Sequence, residues 1–171
     1  MKYTVELKNI KFHERLSQET NCFTADLYIN KKKVGYVENR GEGGPTSYGA
    51  NNVECVKIIG EAEKYFASLP KRIVGEYKFD QSLEDTIDCV FEEWLKEKDN
   101  AKFKKKLEKD MQRGIVYGTD TAYTIVTWKG FNLAGILNHP KGKRTIQEKI
   151  NELKSQGHTI LNTNLPKDLA I

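Results

Sequence analysis

Glu19–Ala50 reads ETNCFTADLYINKKKVGYVENRGEGGPTSYGA, and its alternation decides the fold. Phe23, Ala25, Leu27 and Ile29 share one side of an extended chain, while Thr24, Asp26 and Tyr28 share the other. A period of two marks a half-buried strand. Asn30–Lys33 makes a polar turn and Val34–Val37 returns, so the stretch predicts a β-hairpin. The three turn lysines are expected to keep its tip soluble. The hairpin is followed by NRGEGGPTSY, Asn39–Tyr48, a glycine-rich loop that is expected to open a helix.

Upstream, Tyr3, Val5 and Leu7 alternate with Thr4, Glu6 and Lys8 as a further strand, and HERLSQETN is a polar connection. Downstream, Asn51 and Glu54 have capping-box spacing at a helix start. Cys55, Ile59, Ala62, Phe66 and Leu69 recur at helical intervals until Pro70 stops them. Ile73–Phe79 reads as an extended connection. Ser82 and Asp85 cap a second helix with an apolar face of Leu83, Ile87, Val90, Phe91, Trp94 and Leu95. Its other face carries Glu84, Asp88, Glu92 and Glu93. A third helix over Asn100–Arg113 inverts that charge, with Lys102, Lys104, Lys105, Lys106, Lys109 and Arg113 around a thin stripe of Phe103, Leu107 and Met111. The plainer reading is an antiparallel helix pair whose exposed charges partly neutralise, each pair worth about 0–1 kcal/mol. The sharper reading is a basic face for phosphate or an acidic partner.

Ile115–Tyr117 and Tyr123–Trp128 predict a second hairpin across Gly118–Thr121, and Phe131–Leu137 a further strand. After the loop HPKGK, Thr145 and Glu148 have capping-box spacing, Ile146, Ile150 and Leu153 share a face, and Gly157 ends the helix. Thr159–Leu161 reads as a last short strand. No repeat or linker divides the chain. The order predicts a single α+β domain over residues 1–171, with antiparallel hairpins in a small sheet packed against about four helices.

Composition narrows the function classes. Hydrophobic residues make up 38% and charged residues 30% of 171 positions, enough for a core without disulfides or metal. No apolar run approaches the roughly 20 residues that span a bilayer, and the N-terminus lacks a signal peptide's apolar core, so a cytoplasmic location is expected. Cys22, Cys55 and Cys89 are scattered, as are His13, His139 and His158, which leaves no ligand pair; no metal or cofactor is expected. Cys55 and Cys89 fall on apolar helix faces and are expected to be buried thiols. No serine or cysteine stands in a nucleophile motif, and Glu92 and Glu93 diverge on a helix exterior, so an enzyme is not expected.

The loop is the first candidate site. Gly41, Gly43 and Gly44 permit the backbone turns of an anion-binding nest, Arg40 brings charge, and Thr46, Ser47 and Tyr48 bring hydroxyls. It lacks the G-K-[ST] ending of a phosphate loop and the spacing of a dinucleotide fingerprint. A plain strand-to-helix connection is the alternative. The second candidate is the basic helix face of Lys102, Lys105, Lys106, Lys109 and Arg113. Tyr28 and Tyr36 beside Lys31–Lys33, and Tyr117, Tyr123 and Trp128 beside Lys129, are modest stacking sets of the kind nucleic-acid binders use. Cross-strand aromatics also serve sheet packing. The net charge of +4 permits nucleic-acid contact without arguing for it.

K-N-I-K at Lys8–Lys11, S-Q-E-T-N-C-F-T-A-D-L-Y at Ser17–Tyr28, the Lys31–Lys33 turn, G-Y-V-E-N at Gly35–Asn39 and G-E-G-G at Gly41–Gly44 follow one another in order. In these the chain resembles a family of small uncharacterised proteins encoded by bacteriophages and mobile elements. Trp94–Tyr117 and Thr159–Pro166 are also similar to it. Glu42 stands where that family often carries a histidine. The resemblance brings no assigned activity. It implies a non-enzymatic accessory protein that binds a host protein or a protein–nucleic acid complex in the host cytoplasm, with an anti-defence role such as inhibiting a CRISPR or nuclease system. Nucleic-acid binding by the basic helix and nucleotide or anion binding by the loop are the other two expectations.

Overall fold

Alternation in the opening stretch becomes the centre of an antiparallel sheet. In a computed structural model, which describes residues 2–169, β1 (Val5–Phe12), β2 (Phe23–Ile29), β3 (Lys32–Asn39) and β4 (Ser47–Ala50) lie in the order β1-β2-β3-β4. Phe23, Ala25, Leu27 and Ile29 are all buried on one face. Only Asn30 and Lys31, both at positive φ, connect β2 to β3, a two-residue turn whose twist suits a hairpin. Val34 and Val37 are both buried although three positions apart, because the register shifts between Leu27 and Tyr28. That bulge re-aims the strand. A Cβ on Gly35 would sit 1.8 Å from the Gly49 carbonyl oxygen, so β4 can approach only a glycine there.

β4 corrects the expected loop-to-helix junction. The glycine loop feeds a strand first, and α1 (Val53–Ala67) begins after it. Its cap is Asn52, whose Oδ1 accepts from Cys55 N at 2.9 Å, one residue later than the capping-box spacing suggested. Glu54 instead pairs with Lys32 at 2.7 Å. Cys55, Ile59, Ala62 and Phe66 are buried as the stripe predicts. The Ile73–Phe79 connection is itself a hairpin, β5 (Arg72–Val74) with β6 (Tyr77–Phe79).

Ser82 Oγ accepts from Asp85 N at 2.9 Å and starts α2 (Leu83–Arg113), which runs unbroken for 31 residues. The expected antiparallel pair of helices is therefore one helix. Nothing between Ser82 and Gly114 can end it: no glycine or proline occurs there, and Lys96–Asn100 tolerates helix.

The class is α+β, and the residues group into two compact units, Met1–Glu97 and Lys98–Ile171, with α2 contributing its first half to one and its second half to the other. In the first unit the inner sheet face meets α1 and Leu83, Ile87 and Phe91 of α2. Phe23 and Phe91 stack with centroids 3.8 Å apart. Each such fully buried side chain contributes about 1.5–3 kcal/mol.

In the second unit β7 (Gly114–Gly118) pairs with β8 (Tyr123–Thr127) as expected. The expected strand at Phe131–Leu137 is a turn leading into α3 (Leu133–Leu137), because Asn132 Oδ1 caps it at Gly135 N, 2.8 Å. α4 (Gly142–Ser155) starts three residues before the expected capping box. Thr145 Oγ1 bonds back to the Lys141 carbonyl at 3.1 Å, and Glu148 pairs with Arg144, so neither caps. Gly157, at φ +83°, ends α4, with His158 N bonding the Leu153 carbonyl. Thr159–Leu161 is an isolated bridge at Ile160 and Tyr117 and not a full strand. Ile115, Leu133, Ile136, Ile146, Ile150, Leu153 and Leu169 form this unit's core.

The tail closes it. Asn162 Oδ1 accepts from Val116 N at 2.6 Å, and its amide donates to the Gly114 carbonyl at 3.0 Å. Asn164 Nδ2 donates to the Met111 carbonyl at 3.0 Å, satisfying one of the open acceptors at the end of α2.

Candidate functional site

The glycine loop folds around Asn39, a buried side chain with four partners. Its Oδ1 accepts from Gly41 N at 2.9 Å and Thr20 Oγ1 at 2.9 Å; its Nδ2 donates to Thr46 Oγ1 at 3.0 Å and the Gly44 carbonyl at 3.3 Å. Gly41 and Gly43 stand at φ +83° and +85°, as the glycine content suggested. The Gly41 carbonyl in turn accepts from Gln18 N at 2.9 Å and Glu19 N at 3.0 Å.

This arrangement commits most of the loop's polar groups within the protein. Three of the loop's N–H groups have acceptors within the protein: Gly41 gives to Asn39, Gly43 to Thr20 at 3.3 Å, and Thr46 to the Glu84 carboxylate at 3.0 Å. Thr46 Oγ1 donates to Asp88 at 2.6 Å, and Tyr48 OH donates to Glu63 at 2.8 Å. Ser47 opens β4 and is exposed. Arg40 is exposed and lies 3.8 Å from Glu38. The surroundings are acidic. Burial pushes the Asp88 carboxyl up against the opposing Thr46 hydrogen bond, and Glu84, Asp85 and Glu92 add to the rise. Burial also raises the Tyr48 phenol, with Glu63 adding to it. The loop is thus a knot that seats β4 against α2.

Two of the three hairpin lysines are likewise engaged within the protein. Lys32 pairs with Glu54 at 2.7 Å and Lys33 with Asp26 at 2.8 Å. Cys55 is buried, whereas Cys89 is only partly so and lies 2.8 Å from Arg72 Nη1.

The basic helix face is brought together. At 100° per residue, Lys102, Lys105, Lys106, Lys109 and Arg113 fall within an arc of about 100°, opposite Phe103, Leu107 and Met111. Lys102 lies 3.5 Å from Asp99, and Arg113 lies 2.8 Å from Asp110. Asp110 is buried and also accepts from Tyr123 OH at 3.0 Å. Burial alone would raise its carboxyl; the Arg113 and Tyr123 hydrogen bonds outweigh that and hold it below the usual range. Tyr123 packs edge-on against Phe103 at 5.3 Å, and Lys106 Nζ lies 5.9 Å from its ring centroid. The carboxylate therefore serves as a buried brace for the stripe's last cation.

Dividing the charges by unit sharpens the picture. Residues 98–171 hold fourteen basic and seven acidic side chains, net +7, whereas residues 1–97 hold fourteen and seventeen, net −3. The mild total conceals a strongly basic second unit. That partition was available in the sequence, but only once the boundary was known.

This basic unit also holds a cavity of about 280 Å³. Trp128, Phe131 and Ile136 give it an apolar wall, with Lys129, His139 and the start of α4 beside them. The W-K-G-F and H-P-K-G-K-R runs are its only local signature. Among the described residues, no three His, Cys, Asp or Glu side chains are grouped so as to hold a metal ion, and no helix is long and apolar enough to cross a membrane. Compared with family models, curated proteins and solved structures, the chain matches none.

Proposed function

We propose that this protein binds nucleic acid through its second unit. The reading is carried by one observation: five cations on a single arc of α2, in a unit of net charge +7. Phosphate neutralisation by such a stripe releases counterions, so affinity must fall with salt. For four or five contacts the slope of log K against log salt is about −3 to −4 on single strands, at about 0.7 per phosphate. Fluorescence anisotropy with labelled oligonucleotides from 50 to 200 mM salt tests this. The double variant Lys105→Glu, Lys109→Glu should flatten the slope and abolish most binding. A salt-independent isotherm, or an unchanged one in the double variant, overturns the reading.

A second reading is favoured by the β5–β6 hairpin. Ile73, Val74, Tyr77 and Phe79 are 66%, 53%, 73% and 47% exposed on a two-stranded ribbon. Apolar surface of this kind suits a protein partner. It supports an accessory protein of a phage or mobile element that docks on a host nuclease or CRISPR complex, in the host cytoplasm, as an anti-defence inhibitor. Tyr77→Ser should then lose co-purification with the host complex and restore the host's block on phage plating. If the variant protects phage as well as the wild type, this reading fails.

A further inference from the structure

We infer that the cavity between β8, α3 and α4 is a nucleobase pocket, with Trp128 and Phe131 as stacking surfaces and Lys129 for the attached phosphate. The inference is independent of the α2 stripe but belongs to the same class of ligand. At about 280 Å³ the cavity is just below the range of about 300–1,000 Å³ for ligand sites, a size for one planar ring system and no more. Phe131 is 54% exposed, so part of its ring is open beside the slot. It is bridged through the backbone to Trp128, which sets the two aromatics across one tight turn at Gly130. His139 lies edge-on to Phe131 at 6.5 Å and closes the third side. Stacking of this kind accepts any base.

The far wall is the first turn of α4, from which Gly142 and Thr145 line the slot. That turn carries no acidic residue and no side-chain cap, yet Lys143 and Arg144 stand in it and Lys141 precedes it. Cations at a helix's positive end work against the dipole, so the placement is unfavourable for the helix alone. Lys143 and Arg144 each hold a carboxylate, Asp168 at 3.0 Å and Glu148 at 2.8 Å; Lys129 and Lys141 are exposed. The wall itself is held by close packing, because a Cβ on Gly142 would lie 1.6 Å from the Ile136 carbonyl oxygen. An apolar slot with a cationic rim matches a base joined to a phosphate, whether in a free nucleotide or in a single strand.

Two arms separate those sources from each other and from the stripe. In the first, AMP and CMP are titrated into 15N-labelled protein, with inorganic phosphate as the control. The Trp128 indole and Gly130 resonances should shift with the nucleotides and stay still with phosphate, in the wild type and equally in Lys105→Glu, Lys109→Glu. In the second, Phe131→Ser should weaken an oligonucleotide by about 5- to 150-fold, the range for loss of one stacked base, while leaving the salt slope unchanged. Nucleotide shifts without an oligonucleotide effect assign the pocket to free nucleotide; both effects assign it to a strand. Absence of both, or equal shifts with phosphate alone, overturns the pocket, and the nucleotide arm does not depend on whether the stripe binds.

Discussion

Replacing Asn39 by alanine removes the side chain around which the glycine loop is folded. Four hydrogen bonds go, two accepted and two donated. The Gly41 N–H is enclosed, so its lost acceptor leaves a buried donor unsatisfied, at about 1–3 kcal/mol. The Thr46 bond is also buried and those to Thr20 and Gly44 are partly buried; even at the low end of about 0.5–1.5 kcal/mol each, the three bring the total loss to about 2.5–4.5 kcal/mol. That is a large share of the roughly 5–15 kcal/mol that holds a protein folded. Urea denaturation followed by circular dichroism reads it directly. With a slope of about 2 kcal/mol per molar, in the middle of the usual range, the midpoint should fall by about 1–2 M with the slope unchanged. Asn39→Asp keeps the two acceptor bonds, loses the two donors and adds charge beside Asp88 and Glu84, so it too should be destabilised at neutral pH. A loss below about 0.5 kcal/mol for Asn39→Ala, the size of an ordinary surface change, would refute the account of the loop as a knot.

Two carboxyls should give pH responses of opposite sign. Asp88 is raised above its ordinary value of 3.8, so the strain of its charge appears as pH rises above 3.8; Asp88→Asn, which can still accept from Thr46, should stabilise at pH 7 and have no effect at low pH. Asp110 is lowered below 3.8, so its contribution is present above that value and lost as pH falls through the folded value; Asp110→Asn should destabilise at pH 7, and the difference should vanish in acid. Thermal melts of each variant from pH 2 to 8 decide both. Gly142→Ala forces a Cβ onto the Ile136 carbonyl and should destabilise by about 1–3 kcal/mol or more in urea; a neutral result would mean that α4 can shift freely. Tyr77→Ser, by contrast, should leave the urea midpoint within about 0.5 kcal/mol of wild type, because the side chain is largely exposed.

Periodicity made much of this fold legible. The first hairpin, the stripe from Cys55 to Phe66 and the stripe from Ile146 to Leu153 all follow from alternation or helical spacing, because one face of each is buried in its own unit. What escaped depends on contacts distant in sequence. Ser47–Ala50 is too short to show a period and is a strand because Gly35 lets it approach β3. The charge pattern breaks α2 in two where its sign changes near Lys98, but charge does not end a helix. Phe131–Leu137 is apolar enough for a strand, but Asn132 three residues before Gly135 caps a helix there. The loop's glycines correctly signalled unusual backbone angles. They could not signal that Asn39, Thr20, Glu84 and Asp88, up to 42 positions away, would take up its donors.

The latch formed by Asn162 and Asn164 has a consequence for synthesis. The Met111 carbonyl is satisfied by side chains 51 and 53 positions later in the chain. At a ribosome's roughly 5–20 residues per second, these arrive about 3–10 s after the end of α2 has been made. Through that interval the helix end has open carbonyls, and the Val116 amide has no Asn162 to accept it. The first unit is complete by then and free to fold during translation. The basic unit can close only after its last asparagines emerge, so nascent chains stalled between Arg113 and Asn162 should carry a protease-resistant first unit and a cleavable second one.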